Sequence, residues 1–216
     1  MTTQVSVPTP LGEARLWTDE AKGDHLLLRC VLGHGAGAGP DVPDLAALAR
    51  SLPSAGVSVV RIEQPWRVAG KRVAPAPPRL DEAWLAALEA VPRDVPLVVG
   101  GRSAGARVAC RTAGILHAAG VLALSFPLHP PGKLERSRLD ELSAAADLVP
   151  ILVVQGERDP FGHPGEFPAG RYDLAPVPHA DHSMKVAKAH DPQQALTTVV
   201  DAVIAWLAAL SRAVSD

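Results

Sequence analysis

Residues 97–107 read LVVGGRSAGAR, and the way this stretch changes character decides the fold. Leu97, Val98 and Val99 form a short apolar run suited to a buried strand. The chain then turns through Gly101-Arg102-Ser103-Ala104-Gly105, a G-x-S-x-G pattern, and continues into an alanine-rich stretch of helical character. A strand–turn–helix junction of this kind holds its serine at the tightest point, in a strained backbone conformation, and the flanking glycines remove side chains that would clash with strand and helix. Ser103 Oγ is thereby lifted clear of the sheet. The N–H of Ala104 is left unpaired at a helix start, where the helix dipole favours a developing negative charge. The plain alternative is a Gly-rich turn with a solvated serine. The strand-like and helix-like flanks favour the nucleophile.

Upstream of the elbow, residues 4–7 and 13–17 read as a hairpin around Pro8-Thr9-Pro10-Leu11-Gly12. His25 to Leu32 is a mostly apolar run that stops at the loop Gly33-His34-Gly35-Ala36-Gly37-Ala38-Gly39-Pro40. Leu45, Leu48, Ala49 and Leu52 then recur at helical spacing, with Asp41 or Asp44 as N-cap and Gly56 as stop. Val57 to Ile62 is β-branched and follows at the distance expected of a right-handed crossover to a parallel strand. Residues 63–79 carry Pro65, Pro75, Pro77 and Pro78 and are predicted to be a long loop. Trp84, Ala87, Leu88 and Val91 mark the helix that precedes the elbow strand.

Downstream, small residues from Ala104 to Ala113 suit a helix packed closely on a sheet. Val121 to Ser125 is the next strand, followed by the Pro-rich turn FPLHPPGK and a helical stretch near Leu139 to Ala146. Ile151 to Gln155 is another buried strand, ending in Gly156-Glu157-Arg158-Asp159-Pro160, and residues 171–177 suit an edge strand. The last helix presents Leu196, Val199, Val200, Val203, Ile204, Leu207 and Leu210 on one face. Asp191 caps it, Pro192 suits its first position and Gln194 completes a capping box. Alternating apolar strands and amphipathic helices argue for a mostly parallel sheet covered on both faces, in one domain over residues 1–216.

Composition narrows the function classes. With 47% hydrophobic residues, and 21 basic against 23 acidic side chains, the chain has the makings of a sizeable core and no basic footprint for nucleic acid. Its densest cationic group, Arg67, Lys71, Arg72 and Arg79, lies in the Pro-rich stretch and reads as solvated charge. No apolar run reaches the roughly 18 residues of a bilayer span, and the N-terminus lacks the pattern of a secretory signal, so a cytoplasmic location without a membrane partner is expected. Cys30 and Cys110 lack Cys-x-x-Cys spacing and suit buried free thiols.

In a parallel sheet the loops that follow the strands converge on one edge, which gathers the His34-Gly35-Ala36 loop, the elbow and the Asp159 loop. Ala180-Asp181-His182-Ser183 lies downstream, before the last helix. The chain order Ser103, Asp159, His182 is that of a nucleophile, an acid and a base in a sheet-borne triad. A serine hydroxyl attacks well only if a neutral imidazole takes its proton, the role predicted for His182. Asp159 would hold the imidazole tautomer and stabilise the imidazolium, and the backbone N–H groups of Ala36 and Ala104 would receive the oxyanion. Glu157 is the next acid in line, and His163, His179 and His190 compete as bases. His34 is expected to brace the oxyanion loop, Asp181 to serve the loop backbone, and Trp66 and His129 to pack in the core or at the rim.

The segments LGHGAGAGP, VVRIEQPW, VVGGRSAGARVA, LSFPLHPPGK, VVQGERDPFG and ADHSMK resemble the small α/β-hydrolase-fold proteins grouped with testis-expressed protein thirty and the third subunit of the NSL chromatin complex, with their bacterial, dienelactone-hydrolase-like relatives. The resemblance runs from about residue 28 to the last helix. It implies an α/β-hydrolase fold without a large lid domain, and Ser103, Asp159 and His182 as the triad. Ala104-Gly105-Ala106 departs from the Met-Gly-Gly frequent in the group, a change that keeps the backbone donors.

The expected protein is thus a serine hydrolase acting on a small ester, or a thioester or amide, through an acyl-enzyme. It calls for no cofactor and no metal, and its partner is a small-molecule acyl substrate, with the loops 63–79 and 126–137 roofing a shallow site. The competing expectation is a binding or scaffold protein that keeps the fold without turnover. Nothing in the sequence sets an oligomeric state or names the substrate.

Overall fold

The computed structural model describes residues 2–23 and 26–214. His25, the expected start of the first apolar strand, lies outside the described residues. Eight strands form one sheet: β1 (Thr2–Thr9), β2 (Gly12–Asp19), β3 (Leu28–Gly33), β4 (Val57–Glu63), β5 (Leu97–Arg102), β6 (Gly120–Leu124), β7 (Ile151–Gly156) and β8 (Asp173–Val177). Their order across the sheet is β1-β2-β4-β3-β5-β6-β7-β8. The hairpin β1–β2 is antiparallel and β2 also pairs antiparallel with β4, while β4 and β3 through β8 run parallel. This is the α/β-hydrolase fold. The hairpin strands are longer than expected because β2 is held on both sides, by β1 and by β4.

Among the described residues, five α-helices lie between strands, α1 (Pro43–Ser51), α2 (Pro65–Val68), α3 (Pro77–Leu88), α4 (Ala104–Thr112) and α5 (Leu139–Ala146), and a sixth, α6 (Pro192–Ala213), follows the last strand. Side chains along a strand alternate between the two faces, and the central strands use both. Val31, Val99, Val121 and Val153 face a layer containing Trp84, Ala106, Ala109 and Leu142, from α3, α4 and α5. Cys30, Val98, Leu122 and Leu152 face a layer containing Leu45, Leu48, Val199 and Val203, from α1 and α6. By length and composition alone α6 could cross a membrane; here it packs Val199, Val203, Trp206, Leu207 and Leu210 into the second layer.

Three expectations are corrected. Residues 63–79 are not one loop, since α2 and the first turn of α3 lie within them, with prolines at the leading positions of both. Proline there has no hydrogen bond to lose, so the residues that read as loop signals are helix starts. α1 has Val42 at its N-cap and no side-chain cap; Asp41 instead meets Arg61 at 2.8 Å, and Asp44 is buried beside Arg102. At α6 the Asp191 carboxylate accepts the Gln193 N–H, without the reciprocal bond from Gln194. Gly56, at φ 76°, stops the 3₁₀ turn that follows α1, as predicted.

Candidate active site

β5 delivers its serine through a backbone that few residues tolerate. Ser103 stands at φ 54° and ψ −110°, between the end of β5 and the first residue of α4. The approach of β3 explains both elbow glycines: a Cβ on Gly101 or on Gly105 would lie 2.3 Å from the Gly33 carbonyl oxygen. Bringing β3 this close also seats the His34–Gly39 loop against the elbow, with Gly35 beside the Ser103 side chain.

The predicted residues come together. His182 Nε2 lies 3.0 Å from Ser103 Oγ, and His182 Nδ1 lies 2.7 Å from Asp159 Oδ2. Asp159 is buried, and its Oδ1 accepts the Phe161 N–H at 2.8 Å. The contact to a carboxylate oxygen suits an Nδ1–H donor, which leaves Nε2 as the ring atom that faces the Ser103 hydroxyl. The Phe161 ring lies 4.2 Å from the imidazole, centroid to centroid. Ala36 and Ala104 border the same cavity as Ser103 and His182, which has a volume of about 460 Å³. Neither amide donates to another group among the described residues.

The competing bases and acid are elsewhere. The His179 and His190 rings stack on each other at 3.8 Å. His163 Nδ1 accepts the Gly165 N–H at the start of a 3₁₀ turn, and Glu157 accepts the His179 N–H. Asp181 serves its loop, accepting the N–H groups of Ser183 and Lys185. His129 Nδ1 lies 2.9 Å from the Pro130 carbonyl, and its Nε2 lies 2.9 Å from Glu166. His34 braces the oxyanion loop: Nδ1–H donates to the Gly35 carbonyl at 2.8 Å, and Nε2 accepts the Gln64 N–H at 3.1 Å. Burial, the largest influence on this imidazole, pushes its pKa down and favours the neutral form that both bonds require.

Two positioning residues escaped the sequence reading. Gln155, buried at the end of β7, donates through Nε2 to Asp159 Oδ2 at 2.9 Å and to the Gly162 carbonyl at 2.7 Å. A polar residue closing the otherwise apolar run ILVVQ was its only signal. Arg102 donates to the His182 carbonyl, and its Nε lies 3.1 Å from the carboxylate of Asp44. The arginine therefore ties the His182 loop to the first turn of α1.

The expected roof is also corrected. Pro127 from the second Pro-rich segment borders the Ser103 cavity, while from residues 63–79 Gln64, Trp66 and Ala74 reach only a small adjoining recess that Ala36 and Ala104 also line. Residues 63–79 line a separate cavity of about 340 Å³ with Trp66 in its wall, because α2 turns that segment towards Leu11 of the β1–β2 hairpin. Among the described residues no three His, Cys, Asp or Glu side chains gather as metal ligands.

A family model described as alpha/beta hydrolase domain matches residues 27–208. No curated protein sequence matches the chain. Among solved structures, the chain is similar to an α/β serine hydrolase without lid from Xanthomonas campestris, at 18% identity and a TM-score of 0.69 over 95% of this chain and 94% of that one. An alpha-beta serine hydrolase homologue from Coxiella burnetii matches at 17% identity with a TM-score of 0.71, over 93% of this chain and 97% of that one. The esterase domain of a Rhodothermus marinus protein matches at 15% identity with a TM-score of 0.70, over 95% of this chain and 97% of that one. At these identities the likeness is one of fold.

Proposed function

We propose that this chain, which belongs to the family of alpha/beta hydrolase domains, is a serine hydrolase that cleaves a small carboxylic ester through an acyl-enzyme on Ser103. One observation carries the reading: an unbroken chain of hydrogen bonds runs from Ser103 Oγ through the imidazole of His182 to the buried carboxylate of Asp159, with the serine held on a strained turn. Ser103 Oγ attacks the acyl carbonyl carbon as its proton passes to His182 Nε2. Asp159 stabilises the imidazolium, and the N–H groups of Ala36 and Ala104 receive the negative oxygen. Collapse expels the alcohol, which takes the proton from His182. Water then attacks the acyl-enzyme with His182 again as base, releasing the acid and restoring Ser103.

The substrate on this reading is a small molecule, neither nucleic acid nor membrane lipid, met in the cytoplasm; the two buried, unbridged thiols are in keeping with a reducing compartment. The closer grouping with testis-expressed protein thirty and the NSL subunit is carried by the PLHPPGK and QGERDPFG segments. Labelling with a fluorophosphonate probe tests the proposal. Mass spectrometry is expected to place the adduct on Ser103, and labelling is expected to vanish in Ser103→Ala and fall steeply in His182→Ala. A folded wild-type protein that takes no label would overturn the hydrolase and favour a scaffold that retains the fold.

A further inference from the structure

The cavity at Ser103 carries an unbalanced charge in its wall. Three arginines border it: Arg102, whose Nε lies 3.1 Å from the Asp44 carboxylate, Arg107, in the first turns of α4, and Arg138, at the N-cap of α5. Arg107 is matched: its Nε and Nη2 clasp the two oxygens of Glu141 at 2.8 and 2.5 Å. Glu141 also receives Arg111 at 3.0 Å, and Arg111 in turn clasps Asp81 through bonds of 2.8 and 2.6 Å. Arg107 and Arg111 therefore meet the two carboxylates of Glu141 and Asp81. Arg138 is left over. Its Nη1 donates to the Pro127 carbonyl at 3.0 Å, and it forms no ion pair among the described residues. Its Nε and Nη2 donors have no partner there.

We infer that the substrate carries a carboxylate a few bonds from the scissile ester, and that Arg138 is the specificity-determining residue that grips it through the fork of its guanidinium. The inference rests on the hydrolase reading above and names the class of ester. A guanidinium matches a carboxylate in shape and can bind it through two parallel bonds. One excess positive charge suits a monoanion better than the dianion of a phosphate monoester. Burial and then the neighbouring Arg107 charge hold the Arg138 pKa below that of an ordinary arginine, with Glu141 opposing, and a bound anion offsets both. A cavity of about 460 Å³ is at the small end for ligand sites, which fits a short half-ester of a dicarboxylic acid.

The test compares mono(4-nitrophenyl) glutarate with the 4-nitrophenyl ester of glutaramic acid, which has the same shape and an amide in place of the carboxylate. Wild type is expected to favour the charged ester by about 10-fold or more in kcat/KM, and added salt to reduce that ratio. Arg138→Gln keeps a donor for the Pro127 carbonyl and is expected to bring the ratio close to one, with Arg138→Lys in between. A wild-type ratio near one, or equal losses on both esters in Arg138→Gln, would overturn the assignment while a labelled Ser103 leaves the hydrolase standing. Should neither ester turn over and Ser103 take no label, the hydrolase reading fails by itself, and calorimetric titration with glutarate reads the anion site separately. Binding to wild type that is lost in folded Arg138→Gln supports the site. Equal binding to both, or to neither, overturns it.

Discussion

Ser103 pays a conformational cost that its neighbours make unavoidable. A side chain at φ 54° is disfavoured by roughly 1–3 kcal/mol and persists only where the surroundings over-determine it. Here they do, because α4, β5 and the tip of β3 leave no other path past Gly101 and Gly105. The elbow could be read from sequence, since the strain is signalled by glycines next to the serine. Gln155 and Arg102 could not. Arg102 meets Asp44 and the His182 carbonyl, both far away in sequence, and Gln155 meets Asp159 and Gly162 only because the loop after β7 folds back on it; a lone polar residue in an apolar run does not say what it meets. His34 yields a prediction with a defined sign. Burial holds its pKa below the ordinary value of 6.5, so on acidification the unfolded chain takes up a proton that the folded chain resists. Its contribution to stability is complete above about pH 6.5 and is lost as the pH falls through the folded pKa. Urea denaturation at about pH 7.5 and about pH 5 is expected to show a larger loss on acidification in wild type than in His34→Gln.

Among the helices, the signals that stood in sequence mark different things from those first read. Prolines at 65, 77 and 78 looked like loop punctuation, yet each occupies the first turn of a helix, where proline's missing N–H costs nothing. Asp41 and Asp44 looked like caps for α1, but Arg61 and Arg102 engage them. A local pattern cannot register a partner 20 or more residues away. α6 is the opposite case. Its cap and apolar stripe are local, and both form, with Asp191 Oδ1 accepting the Gln193 N–H at 2.8 Å. Asp191→Ala is expected to lower stability by about 1 kcal/mol, measured as a shift of the urea midpoint at unchanged m. No shift would mean that the packing of α6 alone holds its first turn.

At the scale of the whole molecule, one sheet divides the core into two layers, and each layer holds one cysteine. Cys30 faces α1 and α6, and Cys110 lies with α3, α4 and α5. Burial pushes both thiols up to about 12. An aromatic disulfide reagent at neutral pH is expected to find no reactive thiol in the native protein, and both thiols over a single range of denaturant. Exposure of one before the other would show that the layers come apart separately. The sequence by itself determined the alternation of strands and helices, the elbow and the order of Ser103, Asp159 and His182 along the chain, because periodicity, glycine placement and chain order are properties of neighbouring residues. Only the tertiary structure decided that β2 closes against β4, that Gln155 and Arg102 hold Asp159 and the His182 loop in place, and that Arg138 meets no counter-ion among the described residues. Those outcomes depend on which side chains meet across the sheet, and charge pairing between distant segments is settled by packing that no local pattern encodes.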